Sequence, residues 1–186
     1  MKRRLFLGIS LSKEVVEKVE IQADLLKQRF IESVRFVPSK NWHMTLIFLG
    51  DQDEENIQKI SDSVDLVISG SSNNAIAFDD ITYGPPEHKP RMIWLNATKT
   101  TSEYLDSLRK QIAKELKTIG IFWDDDGRAF HGHITLARFN EESDEINMPL
   151  LVRGSTACKD YTVELFSVTL TPAGSEYKSL HSVSVE

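Results

Sequence analysis

The chain has 186 residues, 40% of them hydrophobic and 27% charged, a composition that fits one folded globular domain and excludes a disordered protein. Its net charge of −6 argues against broad binding of long nucleic acids, but leaves a small phosphorylated ligand or an RNA end open. The single cysteine, Cys158, excludes an intramolecular disulfide and a multi-cysteine zinc site, and it indicates a reducing compartment. No apolar run approaches the roughly 20 residues of a membrane span, so we expect a cytoplasmic protein without a membrane partner.

In the first half of the chain, apolar residues alternate between patterns typical of strands and of helices. A strand at residues 4–9 precedes Ser12, which is placed to cap an amphipathic helix. The apolar positions of that helix are Val15, Val19, Ala23, Leu26 and Phe30. Strand-like runs then flank Pro38 and lead to a predicted turn at Gly50 and Asp51, after which Asp53 is expected to cap a second helix.

The second half repeats this organisation. Strands are predicted at residues 75–84 and 91–97, then a helix at residues 101–118, a further strand around residue 134 and a closing pair at residues 163–171 and 177–185. We therefore predict one α+β domain over residues 1–186, built of two pseudo-symmetric lobes around a central cleft. Each lobe is expected to be an antiparallel sheet packed on helices.

Two segments share the pattern His-x-Thr-Leu: WHMTLIFLG at residues 42–50 and GHITLARFN at residues 132–140. Because side chains alternate along a strand, the His and Thr of each motif share one face, and the intervening apolar residues face the core. The exposed pairs are His43 with Thr45, and His133 with Thr135. If the lobes face each other, these four side chains surround one site.

These residue types can provide acid and base catalysis together with hydrogen bonds to an anion. Histidine exchanges a proton near neutral pH with little tuning, so two histidines can act as an acid and base pair. A threonine hydroxyl can donate a hydrogen bond to a phosphate oxygen without a metal. One His-x-Thr pattern predicts little, since a lone histidine on a strand is usually structural, but two copies at matched positions favour a catalytic site.

The paired motifs and their flanks resemble the 2H phosphoesterase superfamily, and within it the RNA 2',3'-cyclic phosphodiesterase or 2'-5' RNA ligase (LigT-like) family. The similarity extends over most of the chain, through RLFLGISL, VPSKNWHMTLIFLGD, RMIWLNA, HGHITLARF and FSVTLTPAGSEYKSL. It implies hydrolysis of 2',3'-cyclic phosphate ends to a 2'-phosphate without a metal or cofactor, and also the reverse 2'-5' ligase reaction. The expected partners are RNA ends, short oligonucleotides or cyclic nucleotides, and the protein is expected to be a monomer.

The resemblance also implies roles for particular residues. His133 would be the general base and His43 the general acid, while Thr45 and Thr135 would hold the non-bridging phosphate oxygens. Arg138 matches the arginine of the family pattern HxTxxR, which contacts phosphate. Strict alternation conflicts with that role, because an odd step from His133 places Arg138 on the apolar face, and a bulge near Ala137 is needed to resolve it.

Other interpretations remain open. Many family members have proline before the second motif histidine, where this chain has Gly132, preceded by an additional His131. A zinc site made of His131, His133 and His43 is an alternative, although it leaves the threonines without a role. Alternation predicts that Phe48 belongs to the core, although the resemblance would allow its ring to stack on a base. The alternative functions are non-catalytic binding of cyclic or 2'-phosphate RNA ends, and hydrolysis of small cyclic nucleotides or cyclic phosphate sugars.

Overall fold

The computed structural model of the protein describes residues 1–30, 34–86, 89–125, 127–139, 153–172 and 174–185. The elements in chain order are β1 (Lys2–Leu11), α1 (Lys13–Lys27), β2 (Val34–Phe36), a short 3-10 helix (Ser39–Asn41), β3 (Met44–Asp53), α2 (Asn56–Ser69), β4 (Ile76–Gly84), β5 (Met92–Ala97), α3 (Lys99–Thr118), β6 (His133–Phe139), β7 (Arg153–Cys158), β8 (Tyr161–Thr171) and β9 (Gly174–Val185). Across these ranges, no helix has the length and apolar character needed to cross a membrane.

The strands of the described chain form one antiparallel sheet in the order β7-β4-β5-β6-β3-β1-β8-β9, with β2 paired to β6 beside this path. The sheet has two halves, β7-β4-β5-β6 and β3-β1-β8-β9, and each half carries one His-x-Thr-Leu motif. The halves meet where β3 pairs with β6 through Met44 and Ile134. The two motif strands are therefore neighbours at the centre of the sheet, and the fold is α+β as predicted.

The helices pack on the sheet through the apolar faces predicted from their spacing. Helix α2 contacts α3, β3 and β9, while α3 also contacts β3 and β4, and α1 contacts β7. The buried residues of α1 match the predicted apolar positions Val15, Val19, Ala23 and Leu26, and the buried apolar residues of α3 are Leu105, Leu108, Ile112 and Leu116. The apolar residues of both motifs join the same core, so the opposite face of the motif strands carries the histidines.

Two predictions for the end of β3 are wrong: the turn at Gly50 and Asp51, and the helix cap at Asp53. The chain does not turn at Gly50 and Asp51, because β3 continues to Asp53, which pairs with Lys2 at the start of β1. A positive φ of 66° at Gly50 lets the strand continue through this point. Asp53 is therefore part of the sheet, and Glu55 occupies the N-cap position of α2.

Candidate functional site

The two motifs lie side by side in opposite directions. Strand β3 pairs with β6 through Met44 and Ile134, the apolar residues at the second position of each motif. In an antiparallel pair the flanking residues run in opposite order, so His43 lies beside Thr135 and Thr45 beside His133. Both threonines are half-buried on the face that carries the histidines. The structure thus brings the four predicted side chains to one place, with local two-fold symmetry.

A β-bulge follows the threonine in each motif, at the same distance from the histidine. On β3, Thr45 pairs with Gly8 and Ile47 with Leu7, so Leu46 is the extra residue. On β6 the corresponding register step against β5 leaves Leu136 as the extra residue. Two consecutive apolar side chains are buried at each bulge as a result: Leu46, Ile47, Leu136 and Ala137.

The bulges reverse the alternation for the residue that lies five positions after each histidine. Arg138 is consequently exposed on the face of the imidazoles, and its positive charge contributes to lowering the pKa of both His43 and His133. This bulge is the one that the role of Arg138 requires. The prediction that Phe48 belongs to the core is wrong for the same reason: its side chain is 68% exposed, and its ring centroid lies 6.1 Å from that of Phe6.

Each motif histidine is oriented by the same backbone contact. Nδ1 of His43 lies 2.8 Å from the carbonyl oxygen of Asn41, and Nδ1 of His133 lies 2.8 Å from the carbonyl oxygen of His131. A carbonyl only accepts hydrogen bonds, so Nδ1 carries the proton and donates in both rings. Nε2 is then the atom with which each neutral ring accepts a proton.

His133 lies flat on an indole ring. The ring centroids of His133 and Trp94 are 3.8 Å apart with an interplanar angle of 24°. A methyl group at Gly84 would overlap the indole ring, so the glycine makes room for this stack. Burial, with smaller contributions from the charges of His131, His43 and Arg138, lowers the pKa of His133 to about 4. His133 is therefore neutral in the free protein near neutral pH.

His43 has a different set of neighbours on the other half of the sheet. Its ring centroid lies 4.8 Å from Phe6, 5.9 Å from Phe166 and 4.9 Å from Tyr177, the last in an edge-to-face arrangement. Burial, and secondarily the charge of Arg138, lowers the pKa of His43 below its ordinary value. The two histidines thus make the same hydrogen bond through Nδ1 but have different neighbouring side chains.

Gly132 is fixed by packing. A Cβ there would come within 3.0 Å of the Met44 Sδ and 3.1 Å of both Ala97 Cβ and Ser102 Oγ, and the Gly132 carbonyl accepts a hydrogen bond from the Ala97 N–H. The approach to His133 therefore does not require a proline.

The three-histidine zinc site is not formed. Nε2 of His131 contacts Asn96 Oδ1 at 3.0 Å, and the His131 and His133 ring centroids are 6.0 Å apart. In the part of the chain that the structure describes, no three His, Cys, Asp or Glu side chains are grouped so as to hold a metal ion.

Comparison with known proteins identifies chains that are similar to this one. The family described as LigT like Phosphoesterase matches residues 9–94, which include the first motif. Over 98% of its length this chain is 28% identical to an RNA 2',3'-cyclic phosphodiesterase of Thermotoga maritima, covering 96% of that protein. A protein of the same name from Archaeoglobus fulgidus is 28% identical over 95% of this chain and 97% of its own length. The chain is therefore similar to LigT-like phosphoesterases over residues 9–94, and to proteins named RNA 2',3'-cyclic phosphodiesterase over nearly its whole length.

Solved structures show the same fold. A Thermus thermophilus protein, TT0787, superposes with a TM-score of 0.71 at 25% identity, covering 98% of this chain and 97% of its own. Apo LigT of Escherichia coli superposes with a TM-score of 0.67 at 23% identity, covering 98% and 97%. E. coli LigT has also been crystallised with 3'-AMP, with ATP, with NADP+ and with phosphate.

Proposed function

We propose that this protein is a LigT-like phosphoesterase, an RNA 2',3'-cyclic phosphodiesterase that converts a 2',3'-cyclic phosphate end into a 2'-phosphate. The observation that carries the proposal is the matched pair of imidazoles. His43 and His133 are anchored alike through Nδ1, and they lie close enough for the charge of His43 to lower the pKa of His133. The names of the full-length relatives support the same substrate class.

In this mechanism His133 is the general base and His43 the general acid. Nε2 of His133 takes a proton from water as the water oxygen bonds to phosphorus, the bond between phosphorus and O3' breaks, and O3' takes a proton from Nε2 of His43. The pKa of about 4 keeps His133 neutral and ready to accept that proton. Burial among aromatic rings lowers the pKa of His43 in the free protein, and an anionic phosphate bound beside the ring raises it again, so that His43 carries the proton it donates when substrate is bound.

Thr45, Thr135 and Arg138 are the proposed phosphate ligands. Both hydroxyls lie on the strands that carry the histidines, one beside each imidazole. The guanidinium of Arg138 acts on both histidines electrostatically, so an anion bound between them meets the same positive charge. Donors that are already oriented toward the non-bridging oxygens stabilise the charge that develops on them in the transition state.

The remaining parts of the proposal concern partners and organisation. We propose that the enzyme is a monomer, that it needs no metal or other cofactor, and that the site also catalyses the reverse 2'-5' ligation. The donor set supports metal independence, because two imidazoles, two hydroxyls and a guanidinium supply acid, base and positive charge together. We further propose that residues 1–186 form one bilobal domain, with motifs 43–46 and 133–136 in different lobes.

A small cyclic nucleotide is the second candidate substrate. E. coli LigT was crystallised with ligands no larger than a dinucleotide, namely 3'-AMP, ATP and NADP+. In this chain the exposed ring of Phe48 offers a base a surface near His43, since both rings contact Phe6. The ratio of kcat/KM for a cyclic-ended oligonucleotide to that for the cyclic mononucleotide distinguishes the two substrates.

The direct test is turnover in excess chelator, with both substrates and with the final position of the phosphate identified. We expect a 2'-phosphate. A 3'-phosphate as the sole product would contradict the mechanism, activity lost in chelator would contradict metal independence, and tight binding without turnover would indicate a binding protein.

Variants then test the site. His43→Ala and His133→Ala should each lose about 10² to 10⁴-fold in kcat. His181→Ala is the matched control, because this histidine of β9 contacts Asp65 on α2 at 2.7 Å and should leave activity unchanged. Full activity in both motif variants would refute the site.

A further inference from the structure

A polar layer lies across three strands beside the proposed general base. Asp80 on β4 pairs with Asn96 on β5, and Asn96 pairs with His133 on β6, so the three residues share a face of the sheet. Asn96 is only 7% exposed, which is unusual for an amide side chain. Burial of such a group is tolerated when its donors and acceptors all find partners.

The partners of Asn96 fix its orientation. Its Nδ2 donates to Asp80 Oδ1 at 3.0 Å and to Thr82 Oγ1 at 2.8 Å, while its Oδ1 lies 3.0 Å from His131 Nε2. A carboxylate only accepts hydrogen bonds, so the amide NH₂ must face Asp80 and the amide oxygen must face His131. His131 therefore donates its Nε2–H to Asn96.

His131 connects this layer to the base through its own backbone. The carbonyl oxygen of His131 accepts the hydrogen bond from His133 Nδ1, while its side chain is tied to Asn96. The side chain of His131 is thus bound to Asn96, while its carbonyl orients the imidazole of His133.

The first motif fixes its equivalent carbonyl differently. Asn41, which accepts from His43 Nδ1, is the last residue of a 3-10 helix whose turn is closed by hydrogen bonds from the Asn41 N–H to Pro38 O and from the Trp42 N–H to Ser39 O. The residues just before the second motif, 127–132, have no helix or strand in the described chain. Packing and the hydrogen bond from the Ala97 N–H hold Gly132, and the Asn96–His131 contact holds His131 itself, whose carbonyl accepts the hydrogen bond from His133 Nδ1.

We propose that Asn96 and His131 are positioning residues that keep His133 in the Nδ1–H tautomer, with Nε2 turned toward the reacting phosphate. The importance of this tautomer for turnover rests on the proposed function. Its presence in His133 does not. The proposal gives a purpose to the additional histidine before the second motif, which the phosphodiesterase mechanism leaves unused.

The test compares His131→Ala with His131→Gln. Alanine removes the contact to Asn96, whereas the glutamine amide can still donate to Asn96 Oδ1. His131 is exposed, so both variants should fold, and thermal unfolding checks this. Nitrogen-15 NMR of the His133 ring, at a pH where it is neutral, should show one Nδ1–H tautomer in the wild type and in His131→Gln. His131→Ala should show a mixture of tautomers.

Kinetics provide the second measurement. In His131→Ala, kcat should fall roughly 10- to 100-fold with KM unchanged, because the base is misplaced while the phosphate contacts remain, and His131→Gln should recover most of the rate. Asn96→Ala should have a similar effect, and the double variant should lose no more than the worse single variant. His181→Ala again serves as the control for loss of a histidine.

An unchanged tautomer in His131→Ala would overturn the proposal, and so would losses that add in the double variant. If the wild type proves inactive on cyclic phosphates, the proposed function fails, yet the tautomer measurement still decides whether Asn96 and His131 position His133.

Discussion

Replacing Trp94 by alanine should raise the pKa of His133 and move the acid limb of the activity profile to higher pH. The indole covers one face of the imidazole at 3.8 Å, and burial is the largest cause of the low pKa, about 4. Removing the indole lets water reach that face and stabilises the charged ring. The pKa should therefore rise from about 4 toward 6.5.

The size of the effect follows from the fraction of neutral base. At pH 5.5 a base with a pKa of about 4 is almost wholly neutral, whereas one with a pKa of about 6.5 is roughly one-tenth neutral. If Trp94 accounted for all of the change, kcat/KM at pH 5.5 would fall by about tenfold relative to the wild type. The charges of His131, His43 and Arg138 also contribute, so tenfold is the upper limit.

The assay is a proton NMR titration of the His133 ring, followed by kcat/KM against pH. Trp94→Phe is the matched control, because it keeps an aromatic ring against the imidazole and should keep the pKa low. The alanine variant should also lose about 3 to 5 kcal/mol of stability through the cavity it leaves, so its titration is best done at low temperature. An unmoved His133 pKa in folded Trp94→Ala would refute the argument that the indole excludes water from the base.

Three further predictions follow from the same contacts. Phe48→Ala should raise KM by about tenfold by removing a stacking surface, with stability changed by less than about 0.5 kcal/mol, while the equally exposed Leu170→Ala changes neither. Gly84→Ala should cost about 1 to 3 kcal/mol in chemical denaturation because its methyl overlaps the indole, whereas Gly70→Ala, with its nearest neighbour at 3.7 Å, should not. The lowered pKa of His133 means that the unfolded chain binds more protons between about pH 4 and 6.5, so the free energy of unfolding should fall as pH drops through this range, less so in His133→Ala.

Local patterns in the sequence predict most of the helices and strands, and the faces of the four residues of each His-x-Thr-Leu motif. The apolar spacing predicts α3 at residues 101–118, and the helix spans Lys99–Thr118. Alternation correctly places His43 and His133 on the face opposite to Met44 and Ile134, which are buried. These features depend on residues a few positions apart, which is the range over which a single sequence is informative.

The bulges could not be predicted in the same way, and they decide the orientation of Arg138 and Phe48. A bulge is a mismatch in register between two strands, so it is visible only once β3 is set against β1, and β6 against β5. The resemblance of HxTxxR to a known pattern pointed to Arg138, but the matching position in the first motif, Phe48, was assigned to the core. Phe48 and Arg138 each lie five positions after their motif histidine, so a bulge that turns Arg138 toward the imidazoles predicts the same orientation for Phe48.

Trp94, Asn96 and Tyr177 were missed for a related reason. Trp94 and Asn96 alternate on β5 and therefore share a face, a signal that the sequence does contain. Their importance comes from lying opposite Thr135 and His133 on β6, a pairing between residues more than 30 positions apart. Tyr177 contacts His43 across an even larger separation along the chain.

The symmetry of the two motifs explains why His43 and His133 are anchored alike, but not why one should act as acid and the other as base. The proposed acid and base catalysis requires the two histidines to hold opposite protonation states at the same moment, and identical Nδ1 anchors cannot produce this difference. The difference must come from the strands beside each motif. Strand β5 places an indole on His133, while β1, β8 and β9 surround His43 with Phe6, Phe166 and Tyr177. Substituting Trp94 or Tyr177 should therefore alter one limb of the pH profile each, whereas Arg138→Ala, which removes a charge that acts on both histidines, should move both limbs together.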